Sequence, residues 1–258
     1  MSLVNQSRAP RFGAIAAATL VAVTPAWCYA DQADIQSEAA TLLKNSMTYL
    51  SGLQKFSLET HSTIEVVLVD GQKLQFDHDT ETIVQRPNRM YAKRLGELAE
   101  DEFFYDGKTL TQHFPEAGYY ASVEVPDTLE GMLDFATMKL DIVAPAGEFI
   151  YSNAYELLMQ DVQSGFVVGT PAYVNGAVCD HLAFRGPDTD FQIWIQQGEQ
   201  PLPRKLVITS RDIMNAPQFS VDLRHWNLEP MFTEDTFQFD APETAKSIEF
   251  MMLAGESE

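Results

Sequence analysis

Asp77-His78-Asp79 is the first stretch whose residue types could do chemistry, because carboxylate and imidazole groups are common metal ligands. The surrounding segment from Lys73 to Arg86 alternates as a strand does. Alternation places His78 on the face opposite both aspartates, so the three side chains cannot converge on one ion. We therefore predict a solvated hairpin tip here, and no metal site.

Cys179-Asp180-His181 is the second such stretch, because it combines a thiol with a base. Alternation puts Cys179 and His181 on one face, but two strand residues span about 7 Å at a rise of about 3.3 Å each. That separation is too long for direct activation of the thiol. We interpret Cys179 as a small buried hydrophobe.

Catalytic and cofactor motifs are absent from the rest of the sequence. It contains no Gly-x-Ser-x-Gly elbow, no His-Glu-x-x-His, no Gly-rich phosphate loop and no paired cysteine site. We predict no catalytic residue, no metal and no cofactor. A hydrolase would need a nucleophile and a base that converge from distant strands, which spacing cannot reveal.

Arg86 is the unusual charged residue of the sequence. It shares strand parity with Thr82 and Val84, at the end of an alternating segment. If that face is the concave one, a permanent positive charge points at apolar surface. A buried guanidinium needs a partner, so Arg86 is a candidate for a structural or functional contact.

The charge of the chain excludes several classes of partner. The formal net charge is −20, from 17 basic and 37 acidic residues. No basic patch is present to neutralise phosphates, which argues against nucleic acid. The same charge would be repelled by an anionic lipid surface, so binding through a polybasic face is excluded too.

The N-terminus has the pattern of a cleavable signal peptide. Arg8 and Arg11 precede an apolar run over 12–23, and a small-residue site follows at Cys28-Tyr29-Ala30. A bulky Trp27 before Cys28 does not fit a lipid-modified N-terminus. We predict that residues 1–30 are removed on export and that residues 31–258 form one domain, whose net charge is then about −22 because two basic residues leave.

The remaining chain reads as a helix, a run of strands, a helical flap and more strands. Asp34 to Leu50 has helical spacing, with Ala39, Leu43, Met47 and Leu50 on one stripe. Asp127 and Glu130 resemble a capping box for a flap helix, and a second short helix begins near Asn153. Alternating stretches cover 58–69, 73–86, 90–95, 102–105, 109–114, 119–125, 165–174, 177–185, 190–196, 202–210 and 218–228. This pattern predicts an α+β fold with one antiparallel sheet of about 10 to 11 strands.

Several of these segments resemble the periplasmic lipoprotein carriers of Gram-negative bacteria, the LolA-like group. The similarity lies in the initial helix, Q-R-P-N at 85–88, Y-D-G-K-T-L at 105–110, the mid-chain helices and F-Q-F-D-A-P at 237–242. The second half is more similar to an uncharacterised family of predicted periplasmic proteins grouped with those carriers. This similarity lies in F-Q-I-W-I at 191–195 and P-L-P-R-K-L-V-I-T at 201–209.

The resemblance implies a strongly curved, incomplete β-barrel whose open side is covered by helices, with an apolar cavity between. It also implies that Arg86 holds the helical flap closed by hydrogen bonds. We expect the flap helix and the inward strand positions to complete the site. The candidate ligand and latch residues are Arg86, Leu129, Met132, Leu133, Ala136, Ile64, Val66 and Trp194.

These expectations lead to a function hypothesis with one alternative. The chain is expected to be a non-enzymatic periplasmic carrier or binder of a lipid, a lipoprotein acyl chain or another hydrophobic ligand, with a transient membrane or protein donor and acceptor. The alternative is an envelope sensor or protein-interaction module that uses the same fold. Bound ligand in purified protein would favour the carrier, and a stoichiometric protein partner without ligand would favour the alternative.

Overall fold

The computed structural model describes residues 34–97, 100–142, 144 and 146–253, with the backbone alone at residue 170. The predicted signal peptide lies outside the described residues. Within them, no helix is both long enough and apolar enough to cross a membrane.

The helices agree with the predicted stripes and add two short turns. The α-helices are α1 (Ser37–Gly52), α2 (Leu129–Leu140) and α3 (Ala154–Met159). The 3₁₀ helices are Gly147–Ile150 and Glu234–Phe237. All four predicted stripe residues of α1 are buried, as are Leu129, Met132, Leu133, Ala136 and Leu140 of α2. Helical periodicity therefore identified the faces that pack on the sheet.

The strands form one twelve-stranded sheet. Its first six strands are β1 (Lys55–Val67), β2 (Lys73–Gln85), β3 (Arg89–Gly96), β4 (Glu100–Tyr105), β5 (Thr109–Phe114) and β6 (Tyr119–Glu124). The other six are β7 (Ser164–Val174), β8 (Ala177–Arg185), β9 (Thr189–Gln196), β10 (Pro203–Ser210), β11 (Gln218–Asn227) and β12 (Lys246–Ile248).

The strand order is β12-β6-β5-β4-β3-β2-β1-β11-β10-β9-β8-β7, in a sheet that is curved and unclosed. Two antiparallel meanders join where β1 pairs with β11. This confirms the predicted incomplete barrel and corrects the strand count of about 10 to 11. The additional strand, β12, pairs in parallel with β6 and has only three residues, which is too short to show alternation.

The C-terminal segment, residues 228–253, covers the outer face of the sheet at β4 to β6. Phe237 is fully buried, and Phe239 packs its ring about 5 Å from those of His113 and Tyr120. Because this segment shields the outer face of β4 to β6, Thr111 and His113 are buried although they point away from the concave side. At β4 to β6 both faces of the sheet are therefore covered, the inner one by helices.

The N-cap of α2 is Thr128, whose Oγ1 accepts a hydrogen bond from the Gly131 amide at 3.1 Å. Asp127, predicted from sequence spacing as the cap, lies one residue earlier. The helix thus begins one position later than the Asp127–Glu130 spacing indicated, and Thr128 satisfies one of the amides that a helix N-terminus leaves unpaired.

Thr128→Ala is expected to lower the free energy of unfolding by about 1 kcal/mol, because that amide loses its acceptor. Urea unfolding at pH 7 measures the loss. Thr137→Ala, the same substitution at an exposed position of α2, is the matched control: it removes only an exposed hydrogen bond of 3.4 Å to the Ile142 carbonyl and gains helix propensity, so stability should change little. Equal losses in the two variants would contradict the role of Thr128 as the cap.

Candidate functional site

A cavity lies between the concave face of the sheet and the lid, which we define as α2, the 3₁₀ helix Gly147–Ile150 and α3. Its volume is about 140 Å³. The sheet contributes the apolar side chains of Phe56, Leu58, Met90, Leu110, Leu223 and Trp226. The lid side contributes Met132, Leu133, Ala136, Ile142, Phe149 and Ile150. An apolar space enclosed by two kinds of element is typical of a site for a hydrophobic molecule.

The side chains that face the cavity change from apolar to polar along the strands. Directly opposed residues of an antiparallel pair share a face, so they form rows across the sheet. The row next to Arg86 is Phe56, Val84, Met90, Tyr105 and Leu110. Two rows further on lie Thr60, Thr80, Arg94 and Asp101, and the row beyond pairs Ser62 with His78. The cavity thus has an apolar end near the lid and a polar end about 13 Å along the strands.

Arg86 joins the sheet to the lid. Its Nη1 donates to the Ile150 carbonyl at 2.6 Å and its Nε donates to the Leu53 carbonyl at 3.1 Å. Both carbonyls stand at C-terminal ends of helices, where the last peptide oxygens have no partner of their own and carry partial negative charge. The guanidinium therefore stabilises two helix ends at once, one in α1 and one in the lid.

The environment of Arg86 is unfavourable for a charge. Burial lowers the pKa of the guanidinium, against the opposing effect of the nearby Glu130 carboxylate. Its Nη2 is buried and, within the described residues, has no hydrogen-bond partner. A buried donor without a partner is unfavourable, and this offsets part of the stabilisation from the two hydrogen bonds of Arg86.

The resemblance implied a contact between Arg86 and the helical flap, and the structure places that contact in the segment between α2 and α3. The hydrogen bond goes to Ile150, at the end of the 3₁₀ helix, and α2 is attached through its own backbone, with Leu129 N donating to the Pro87 carbonyl at 3.0 Å. The lid elements are also bonded to each other, by Ser152 N to Glu130 at 3.0 Å and Tyr151 to Asp134 at 2.8 Å. A four-residue 3₁₀ helix has too little periodicity to be recognised from sequence.

The predicted ligand residues of α2 lie at the cavity, whereas those of β1 lie beyond it. Met132, Leu133 and Ala136 line the cavity, and Leu129 is buried at the start of the same helix. Ile64 and Val66 share the inward parity of Leu58 but lie further along β1, outside the cavity lining, with Val66 exposed.

Trp194 does not reach the cavity. Phe191, Ile193 and Ile195 are the inward residues of β9, and Trp194 lies on the outer face, stacked on His181 at 4.0 Å. The sequence showed bulk on both faces of this strand without showing which face was concave. Lys205 lies over the same ring at 5.8 Å, so Trp194 belongs to an outer aromatic cluster.

The two stretches considered for chemistry have structural roles. His78 lines the cavity, whereas Asp77 and Asp79 bond Thr63 and His61 on the outer face. Cys179 is fully buried, and burial raises the pKa of its thiol, so it stays protonated. Among the residues that the structure describes, no group of His, Cys, Asp and Glu side chains could hold a metal ion.

Glu148 is a partly buried acid inside the lid. Its Oε2 is buried and, in the described part of the chain, has no hydrogen-bond partner. Burial raises the pKa of this carboxyl above its usual 4.5. The closed lid therefore favours the protonated form of Glu148. In an unfolded chain at neutral pH the carboxyl is charged, so burying it in the closed lid lowers the stability of the folded state.

Glu148→Gln is expected to stabilise the protein at pH 7 and to make no difference well below pH 4.5. An acid whose pKa is raised on folding contributes stability below its unfolded pKa and loses it as the pH rises through its folded pKa. Glutamine does not titrate and avoids that loss. Thermal unfolding of wild type and variant between pH 3 and pH 8 tests this, with Glu156→Gln, at an exposed lid position, as the baseline for removing one negative charge. A pH-independent difference would contradict the expectation.

Comparisons with known proteins give one family match and several similar structures. The family model described as predicted periplasmic protein DUF2092 matches residues 39–251. No curated protein matches in sequence. Similar structures include LprF from Mycobacterium bovis, with 15% identity over 83% of this chain and 100% of that chain and a TM-score of 0.43.

Two further similar structures cover comparable lengths. A DUF1329 family protein from Desulfovibrio piger has 9% identity, covers 80% of this chain and 98% of that chain, and has a TM-score of 0.35. The LolA superfamily protein NE2245 from Nitrosomonas europaea has 8% identity, covers 78% of this chain and 97% of that chain, and has a TM-score of 0.33. The segment matched by the family model contains every residue that lines the cavity.

Proposed function

This chain belongs to the DUF2092 family of predicted periplasmic proteins, and we propose that it is a non-enzymatic carrier or binding protein for a lipid, an acyl chain or a similar hydrophobic ligand. The observation that carries the proposal is the apolar cavity closed by a lid that Arg86 holds in place. Burial of an alkyl chain contributes about 0.8 kcal/mol per methylene, so such a site needs no directional chemistry to bind tightly.

The size of the cavity implies that the lid moves. About 140 Å³ is close to the roughly 150 Å³ of an engineered apolar cavity that holds one benzene molecule. A long acyl chain needs more space than this, so we propose that the closed lid belongs to the form of the carrier without ligand. Binding displaces the lid and separates Arg86 from Ile150.

Release follows from the same contact. Because the hydrogen bond between Arg86 and Ile150 exists only with the lid closed, it competes with the ligand and favours the empty form. Burial of the ligand, which favours the open lid, therefore competes with the Arg86–Ile150 hydrogen bond, which favours the closed lid. A donor or acceptor, membrane or protein, would shift that balance during transient contact.

Native mass spectrometry of the protein purified from periplasm without detergent tests this function. We expect a population heavier than the bare chain by the mass of a lipid, and displacement of that lipid by a fluorescent fatty acid. A homogeneous mass of the bare chain, together with no binding of the fluorescent fatty acid, would overturn the proposal.

A second candidate is an envelope sensor or interaction module with the same fold. Met231 and Met251 are 97% and 87% exposed on the C-terminal segment, and methionine suits adaptable protein contacts. Co-purification of a stoichiometric protein partner, with the cavity empty, would favour this candidate over the carrier.

A further inference from the structure

The polar end of the cavity is built around a fixed arginine. Arg94 Nε and Nη2 donate to the two carboxylate oxygens of Asp101 at 2.8 and 2.7 Å, and Gln112 also donates to Asp101 at 2.7 Å. Asp101 is fully buried, while the Arg94 side chain is 26% exposed. The guanidinium also lies 5.7 Å from the Phe103 ring centroid. Such paired contacts hold the plane of the guanidinium in one orientation.

This arrangement leaves hydrogen-bonding capacity directed at the cavity. Arg94 lines the cavity, and its Nη1 has no hydrogen-bond partner among the residues that the structure describes. Thr60, Thr80 and His78 line the same region, and their side chains likewise form no hydrogen bond within the described residues. Burial and the charge of Arg94 lower the pKa of His78, so its ring is neutral at pH 7 and keeps one N–H donor.

The polar groups at this end of the cavity suit a ligand that accepts hydrogen bonds better than they suit a positively charged ligand. Arg94 offers only donors, and the hydroxyls and the neutral imidazole can each donate as well. Asp101 already neutralises the charge of Arg94, so the site does not demand a multiply charged anion. A small number of oriented polar groups at one end of an apolar cavity fixes the direction in which a ligand enters.

We infer that the cavity recognises the carboxyl or ester end of an acyl chain, with that end bonded by Arg94 and the neighbouring row of Thr60, Thr80 and His78, and the alkyl chain directed toward the lid. The inference rests on the proposed function and specifies its ligand. Two sources share this chemistry, a free fatty acid and the acyl ester of a larger lipid. A hydrocarbon without the oxygens would fill the apolar end alone and bind more weakly.

Competition binding with a matched pair of double variants tests the inference. Arg94→Met with Asp101→Leu removes the donor and leaves no buried unpaired charge. Arg185→Met with Asp190→Leu is the control, because that pair has the same two-bond geometry at 2.9 and 2.8 Å on the outer face of β8 and β9. The probe is N-phenyl-1-naphthylamine, which is apolar and has no carbonyl, and the competitors are palmitic acid and methyl palmitate. Circular dichroism and thermal unfolding verify that each variant is folded.

We expect the affinity for palmitic acid, relative to that for the probe, to fall about tenfold to a hundredfold in the Arg94 double variant and to stay unchanged in the control. An equal fall for methyl palmitate supports the ester source, and a fall for palmitic acid alone supports the free acid. Unchanged relative affinities, with the probe bound, would overturn the inference and leave the carrier function standing. Wild-type protein that binds neither the probe nor either competitor would overturn the carrier function itself.

Discussion

Arg86→Leu is expected to bind fatty acid about tenfold to a hundredfold more tightly than wild type and to release it correspondingly more slowly. The hydrogen bond from Arg86 to the Ile150 carbonyl stabilises the closed, empty lid and is lost when a ligand opens it. A contact that exists only in the empty form stabilises that form. The apparent affinity for the ligand then falls by the factor by which the empty form is favoured. A hydrogen bond from a charged donor contributes about 1.5 to 3 kcal/mol, which sets the expected factor.

The fold is expected to survive this substitution. Leucine removes a guanidinium whose Nη2 is buried without a partner in the described part of the chain, and that gain offsets the two carbonyls left without Arg86. The core of the sheet and the stripes of α1 and α2 do not involve Arg86. Titration with a fluorescent fatty acid measures affinity, and stopped-flow transfer to lipid vesicles measures release.

Arg211→Leu is the matched control for Arg86→Leu. Arg211 also donates to two backbone carbonyls, those of Gly186 and Pro187, at 2.9 and 3.3 Å, but it does so in the loop between β8 and β9, and none of these three residues lines the cavity. Its loss should leave binding and transfer unchanged. Wild-type affinity and wild-type transfer rates in Arg86→Leu would show that the lid does not depend on this contact.

The sequence was sufficient for the elements and their faces because burial on one side repeats with a fixed period. Helical spacing identified the buried stripe of α2, and alternation placed Thr82 and Val84 on the same side of the sheet as Arg86. The uncharacterised family of predicted periplasmic proteins, indicated by the motifs at 191–195 and 201–209, is confirmed, and so is the periplasmic location. These properties depend on local pattern, which a single sequence contains.

The site was harder to predict because it depends on which face is concave and where the lid ends. Parity put Ile64 on the correct face, but only the position of the lid shows that it lies beyond the cavity. Trp194 was assigned to the wrong face of β9, since both faces carry large residues. Arg94 and Asp101 were not predicted as site residues, because a surface charge pair and a buried one have the same sequence pattern. In the sheet, Arg94 lies between Thr80 on one neighbouring strand and Asp101 on the other.

Arg94→Met alone is expected to destabilise the protein by about 3 to 5 kcal/mol, because it leaves the carboxylate of Asp101 fully buried with only the Gln112 amide as a partner. That is a large share of the roughly 5 to 15 kcal/mol that stabilise a typical domain. Arg185→Met breaks a pair of the same geometry whose arginine is 59% exposed, and it should cost no more than about 1 kcal/mol. Urea unfolding at pH 7 provides both free energies.

The double variant Arg94→Met with Asp101→Leu separates the value of the ion pair from the penalty for breaking it. Replacing both partners by apolar side chains removes the unpaired charge, so we expect most of the lost stability to return. A double-mutant cycle then measures the coupling between the two residues. If the pair exists mainly to orient the free Nη1 toward a ligand, the double variant approaches wild-type stability while losing preference for acyl oxygens. If the double variant is as unstable as Arg94→Met, the pair is primarily structural, and the arginine's position at the polar end of the cavity follows from folding alone.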